Sequence, residues 1–292
     1  MKLKTLLRTC ALLQHYLQHC LARQVALSPD SISNPLPVRT DPAVDVIKPG
    51  TKLRVLCVGD SITVGLWSDL DGGDGNGFRL RLRQNLPKDN VVFVGTETTR
   101  SGSMRDGYFY ISKHVEPSLD QHPNIILLHA GTNDMSTIGG IAREGSDPYE
   151  TLERLGSLID QMLAACPDAV VLVAMIIDAC PQFQAPGAKL FQDLVPGVVQ
   201  PRLDRGHHVL AVNFTGFPLL ELRDCVHPTN QGYSLLGDYW ADVLAQVPKD
   251  WIQEPVGKDP YPSAAPRGPA LRALWLLTLF VVYFHWNLQW AF

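Results

Sequence analysis

Five short apolar runs, separated by longer stretches with helical periodicity, constrain the fold of this 292-residue chain more than any other feature. The runs have the length and β-branched content of buried strands: Leu53–Val58, Val91–Gly95, Ile125–Ala130, Ala169–Ile177 and Val209–Phe214. Helical patterns lie near Phe78–Asn85, Tyr149–Ala165, Gly187–Arg205 and Asn230–Gln246. Because strands that alternate with helices form a parallel sheet covered on both faces, the pattern predicts an α/β fold, a three-layer sandwich.

Two of the runs are followed by polar residues at the edge where such sheets bind ligands. Ser61 comes after the first run, behind Gly59 and Asp60, and Asn133 comes after the third. Ligands of open α/β sheets bind beyond the carboxyl ends of the strands. Taken singly, each residue is equally consistent with a turn or a helix cap. Their shared position at one edge predicts a site there.

Asp224 and His227 supply a third polar element before the last helical pattern. Residues three apart can meet in one turn, where a carboxylate holds an imidazole in one tautomer and stabilises its charged form. One such pair is expected by chance in a chain with 9 histidines. The order serine, aspartate, histidine is, however, the order found in serine hydrolases built on α/β sheets.

Together, Gly59-Asp60-Ser61, Gly131-Thr132-Asn133-Asp134 and Asp224-Cys225-Val226-His227-Pro228 resemble the motifs of the SGNH (GDSL-type) hydrolases. The chain looks closest to fungal members similar to carbohydrate esterase family 3. The resemblance covers about residues 52 to 247. It implies a five-stranded, flavodoxin-like parallel sheet with the strand order 2-1-3-4-5.

The resemblance also implies a role for each motif residue. Ser61 would be the nucleophile, His227 the general base and then the general acid, and Asp224 the residue that orients His227. The Ser61 backbone N–H and the Asn133 side-chain amide would donate to the oxyanion. The third donor would be a glycine, Gly102 or Gly107, but here the chain departs from the family pattern. Since removal of one such donor costs about 100- to 1000-fold in rate, the departure bears on activity.

The composition mainly argues against particular classes of function and of site. The net charge of -4 and the lack of a basic stripe give no sign of nucleic-acid binding. No metal-binding motif occurs, and the adjacent His207 and His208 would point to opposite faces of a strand, so we expect no metal and no cofactor. The 6 cysteines do not suggest a disulfide framework, and Cys225 is expected to be a plain loop residue.

The two ends of the chain differ from the domain expected at residues 51–248. Residues 1–26 resemble a signal peptide, with an amphipathic helix as the alternative, and residues 27–50 a linker. A Pro-rich linker, 249–270, precedes the apolar tail 271–292, which has the length of one bilayer crossing or of a GPI signal; an unstructured extension is the alternative. These features predict a secreted, cell-surface or membrane-anchored protein.

The function expected from the resemblance is a serine esterase that removes acyl groups, acetyl in the first place, from a carbohydrate. Two alternatives stay open. One is a lipid or small-ester hydrolase of the same fold, which the apolar tail favours. The other is a catalytically weak relative that binds glycan or lipid, which the altered glycine segment favours.

Overall fold

The computed structural model describes residues 51–86, 91–96 and 107–260. The expected signal peptide, the first linker, the apolar tail and the candidate Gly102 lie outside these residues. None of the helices in these residues combines the length and the apolar character that a membrane span requires.

A five-stranded parallel sheet forms the centre of the fold. Its strands, in chain order, are β1 (Leu53–Gly59), β2 (Val91–Val94), β3 (Ile125–His129), β4 (Val170–Met175) and β5 (Val209–Asn213). Their order across the sheet is β2-β1-β3-β4-β5, and every neighbouring pair is parallel. The predicted fold class and strand order are therefore confirmed.

Helices cover both faces of the sheet. They are α1 (Ser61–Val64), α2 (Arg79–Asn85), α3 (Tyr108–His114), α4 (Glu116–Leu119), α5 (Pro148–Ala165), α6 (Ala188–Leu203) and α7 (Asn230–Gln246). Helices α2 and α7 pack together on one face, and α5 and α6 on the other. Side chains of β1 alternate between these two cores, since Val55 points into one and Leu56 into the other.

The segment after α7 packs on the amino-terminal edge of the sheet. Asn124 donates through Nδ2 to the Gln253 carbonyl at 2.6 Å. The Arg54 guanidinium, only 1% exposed, donates to the carbonyls of Val256 at 2.7 Å and Gly257 at 3.1 Å. The compact unit accordingly continues to Gly257, beyond the expected boundary at residue 248, because this segment supplies carbonyl acceptors to a buried guanidinium.

Candidate active site

The turn between β1 and α1 fixes the position of Ser61. A Cβ atom on Gly59 would lie 2.0 Å from the His129 carbonyl oxygen, so β1 can approach β3 this closely only with glycine there. Asp60 caps α1, since its Oδ1 accepts a hydrogen bond from the Ile62 N–H at 3.0 Å. Ser61 is thereby the first residue of α1 and stands at the carboxyl end of β1.

The Asp60 carboxyl is fully buried beneath this turn. Burial raises its pKa to about 6, although the Ile62 N–H, the charge of His227 and the Thr132 hydroxyl act in the opposite direction. Asp60 therefore stabilises the turn, while the hydroxyl of Ser61 faces His227.

Ser61, His227 and Asp224 form one hydrogen-bonded chain. The Ser61 Oγ lies 2.8 Å from Nε2 of His227. The Nδ1 of the same ring lies 2.8 Å from Oδ2 of Asp224. With Nδ1–H donating to the carboxylate, Nε2 is free of its proton and can accept one from the serine hydroxyl.

Backbone groups hold Asp224 in place. Its Oδ1 accepts hydrogen bonds from the N–H of Val226 at 3.1 Å and of His227 at 2.7 Å. Partial burial raises the pKa of this carboxyl, but the hydrogen bonds from the His227 ring and backbone lower it more, so the net pKa lies below its ordinary value. Asp224 is consequently a carboxylate at neutral pH.

Trp67 limits the motion of the imidazole from another side. Its ring meets that of His227 edge to face, with 5.1 Å between centroids. The backbone of Trp67 has φ +61°, which is rare for an aromatic residue and shows that the surrounding loop dictates its conformation.

The polar residue predicted after β3 lies where expected. Asn133 is 7% exposed and borders the same pocket as His227. Its neighbour Asp134 accepts long hydrogen bonds from the Tyr108 N–H, the shorter at 3.3 Å. Burial raises the pKa of Asp134 to about 6, and the charge of Arg154 opposes the rise.

Of the two expected glycines, Gly107 lies beside this turn. It caps α3, and a Cβ atom on it would sit 3.0 Å from Oδ1 of Asp134. The Tyr108 side chain is buried, and its hydroxyl donates to the Ala130 carbonyl at 2.7 Å. The start of α3 is thus fastened to the segment that carries Asn133.

A disulfide joins Cys180 and Cys225, with 5.0 Å between their Cα atoms. The expectation that Cys225 is a plain loop residue was wrong. Cys180 follows β4 and Cys225 precedes α7, so both lie at the carboxyl edge of the sheet although they are 45 residues apart. Because Cys225 stands between Asp224 and His227, the bond fastens the loop that carries both residues.

A pocket of about 260 Å³ opens beside the histidine. The segments after β3 and β4 and the Asp224–His227 loop form its walls. The lining is Thr132, Asn133, Met135, Ser136, Ile138, Ile141, Ile176, Ile177, Ala179, Phe183, Gln184, Asp224, Val226 and His227. Apart from the residues of the site itself, most of this lining is aliphatic or aromatic.

No group of histidine, cysteine and acidic residues arranged to hold a metal ion occurs in the part of the chain that the structure describes. In the acidic loop after Trp67, the Asp71 carboxylate forms an ion pair with Arg223. That ion pair links the loop to the residue directly before Asp224.

Comparison with solved structures shows where this fold occurs. A family 3 carbohydrate esterase from Clostridium thermocellum is 23% identical, with a TM-score of 0.52 over 68% of this chain and 100% of that one. A family 3 carbohydrate esterase from Talaromyces cellulolyticus is 21% identical, with a TM-score of 0.52 over 68% and 99%. An acetylxylan esterase from Geobacillus stearothermophilus is 17% identical, with a TM-score of 0.51 over 71% and 100%.

A search of curated proteins found no match. The family model described as GDSL-like lipase/acylhydrolase matches residues 57–235, which include Ser61, Asn133, Asp224 and His227. This chain therefore belongs to the GDSL-like lipase/acylhydrolase family, as an SGNH-type carboxylic ester hydrolase whose fold is similar to that of carbohydrate esterase family 3.

Proposed function

We propose that this protein is a serine esterase that works through Ser61, His227 and Asp224. The observation that carries the proposal is the continuous hydrogen-bonded chain, with 2.8 Å from Ser61 to His227 and 2.8 Å from His227 to Asp224. A serine hydroxyl is a weak nucleophile unless a neighbouring base takes its proton. In this chain the base is present, and a third residue orients it.

The reaction has two halves in this proposal. Nε2 of His227 takes the Ser61 proton as Oγ attacks the ester carbonyl, and the same proton then goes to the departing alcohol, leaving an acyl-serine. Water, deprotonated by His227, attacks the acyl-serine and releases the carboxylic acid. Asp224 stays ionised throughout and stabilises the imidazolium, in keeping with its lowered pKa.

The oxyanion of each tetrahedral intermediate would accept hydrogen bonds from the Ser61 N–H, the Asn133 amide and the Gly107 N–H. The helix start at Ser61 leaves its N–H without an intrahelical acceptor. Gly107 caps the start of α3 beside the Asn133–Asp134 turn, which favours it as the third donor.

For the substrate, we propose an acyl ester of a carbohydrate. Support comes from the similarity to structures named as family 3 carbohydrate esterases and as acetylxylan esterases. We also propose a secreted or cell-surface location. The Cys180–Cys225 disulfide favours it, because disulfides persist mainly in oxidising compartments.

The test is hydrolysis of p-nitrophenyl acetate and of acetylated xylo-oligosaccharides by the wild type, Ser61→Ala and Ser157→Ala. Ser157 lies on α5, and its hydroxyl bonds only the Glu153 carbonyl among the contacts seen, so it controls for the substitution itself. We expect Ser61→Ala to lower kcat by about 10⁴-fold or more and Ser157→Ala to leave it unchanged. A wild type that binds the oligosaccharide without turning over either ester would instead indicate a glycan-binding relative.

A further inference from the structure

The pocket beside His227 has walls that suit an alkyl chain. Met135, Ile138 and Ile141 line it from the segment after β3, and Ile176 and Phe183 from the segment after β4. Ile138 is 40% exposed, which places it at the rim. The charged groups in the lining are Asp224 and His227, which are already bonded to each other.

Polarity decides which part of an ester such a pocket can hold. Thr132, Ser136 and Gln184 also line the pocket, but a sugar ring would still bring most of its hydroxyl groups against aliphatic or aromatic side chains, where hydroxyls without partners are unfavourable. An acyl chain brings only methylene groups, whose removal from water is favourable. If the alcohol is a carbohydrate, the pocket therefore suits the acyl side of the ester.

The size of the pocket exceeds what acetyl needs. A methyl group is roughly the size of one water molecule, which needs about 10–15 Å³ of cavity volume measured in this way. The 260 Å³ pocket would remain mostly empty with acetyl bound. A chain of several methylene groups would fill it and remain within its walls.

We infer that this pocket is an acyl-chain site and that the enzyme prefers acyl groups of about four to eight carbons to acetyl. The inference rests on the proposed function, because it assigns the acyl half of the same ester to the pocket. It names a substrate class, medium-chain acyl esters, and it makes Ile138 and Ile141 determinants of chain length.

The experiment measures kcat/KM for p-nitrophenyl esters from acetate to decanoate in the wild type, Ile138→Trp, Ile141→Trp and Leu190→Trp. The leaving group is the same throughout, so the series reports the acyl chain alone. The two isoleucine variants narrow the pocket independently of each other, so the experiment can still be read if one of them does not fold. Leu190 on α6 is the matched control, because it is 41% exposed, against 40% for Ile138, and is not in the pocket.

In the wild type we expect kcat/KM to rise by about three- to fourfold for each methylene added up to hexanoate, and to stop rising by decanoate. The hexanoate-to-acetate ratio should fall by at least about tenfold in Ile138→Trp or Ile141→Trp, the lower bound for losing one well-packed methylene. The ratio should stay at the wild-type value in Leu190→Trp.

Two results would overturn the inference while leaving the esterase proposal intact. One is a wild type whose kcat/KM is highest with acetate. The other is a dependence on chain length that neither pocket variant alters. A parallel series of alkyl acetates tests the alcohol side of the ester. If Ile138→Trp and Ile141→Trp altered the rates of the alkyl acetates but not those of the p-nitrophenyl esters, the inference would also be overturned. If no ester is hydrolysed faster by the wild type than by Ser61→Ala, the proposed function itself fails.

Discussion

The His227 imidazole is held by three side chains of different kinds. Asp224 accepts from Nδ1, Ser61 faces Nε2, and Trp67 packs against the ring. Because each contact restrains a different direction, the ring can turn little without losing one of them. Ser61, Asp224 and His227 are near one another because the strands that carry or precede them end at the same edge of the sheet.

Asn133 offers a direct test of oxyanion stabilisation. We expect Asn133→Ala to lower kcat by about 100-fold or more with little change in KM, because the donor acts on charge that develops in the transition state. The same substitution at Asn85, whose amide bonds Asp238 away from the site, should leave kcat unchanged. Loss of the folded state in Asn133→Ala, seen by circular dichroism, would identify Asn133 as a structural turn residue instead.

His129, at the end of β3, gives a prediction for stability against pH. Burial lowers its pKa to about 4, and its Nε2 accepts from the Ile177 N–H at 3.3 Å. Between the ordinary histidine pKa and about 4, the unfolded chain binds a proton that the folded chain does not, so acid favours unfolding.

We expect the wild type to lose about 1.4 kcal/mol of unfolding free energy relative to His129→Gln for each pH unit below about 6.5, until the folded-state pKa is reached. Urea unfolding at a series of pH values measures the difference. Glutamine keeps a polar side chain that can accept a hydrogen bond but does not titrate. Parallel curves for the two proteins across this range would contradict the assignment.

At the scale of elements, the five strands could be predicted because each is a compact apolar run bounded by turn residues. The structure shortens four of them by one to three residues, as at β4, which begins at Val170 and ends at Met175, and lengthens β1 by one residue, to Gly59. Although α2, which is also seven residues long, was predicted, helices α3 and α4, of seven and four residues, were not, because one or two turns are too few to fix a helical period reliably. Their stability comes from buried contacts such as Tyr108 and Leu119.

The choice between Gly102 and Gly107 could not be made from the sequence for a related reason. Which glycine lies nearest Asn133 depends on tertiary contacts that no local sequence pattern reports, and of the two the structure describes only Gly107. The disulfide was missed because its cysteines are 45 residues apart and become neighbours only when the sheet forms. By contrast, the Ser61 turn is local, and its sequence alone places it after β1.

The disulfide supplies a prediction at this scale. Replacing both Cys180 and Cys225 by serine should lower the unfolding free energy by about 2–4 kcal/mol, since a long loop is released in the unfolded chain. We also expect a lower kcat, because the Asp224–His227 loop loses its covalent attachment. Differential scanning calorimetry and p-nitrophenyl ester kinetics measure the two effects, and Cys57→Ser, at a free thiol, is the control. An unchanged kcat would show that hydrogen bonds alone hold the loop.

Across the molecule, Arg54 connects the two ends of the described domain. It lies in β1, is buried, and donates to the carbonyls of Gln121 and His122 as well as to those of Val256 and Gly257. The segment from α7 to Gly257 thus packs on the domain. Its removal would leave a buried guanidinium short of acceptors.

Two truncated chains test whether the segment after α7 stabilises the fold. Relative to a chain ending at Pro260, a chain ending at Pro248 should lose several kcal/mol of unfolding free energy, because a buried charged donor loses the carbonyls of Val256 and Gly257. Thermal unfolding of the two proteins measures the loss. Equal melting temperatures would mean that water replaces the lost carbonyls without cost.

The claim that Ser61 is the activated nucleophile is tested most directly by covalent labelling with an alkyl p-nitrophenyl phosphonate, followed by peptide mass spectrometry. We expect one phosphonyl group on the peptide that contains Ser61 in the folded wild type at neutral pH. We expect none in Ser61→Ala, and labelling slowed by at least about 100-fold in His227→Gln, which removes the base. Labelling elsewhere, or labelling of Ser61 at the same rate in His227→Gln, would contradict the role of Ser61 as the activated nucleophile.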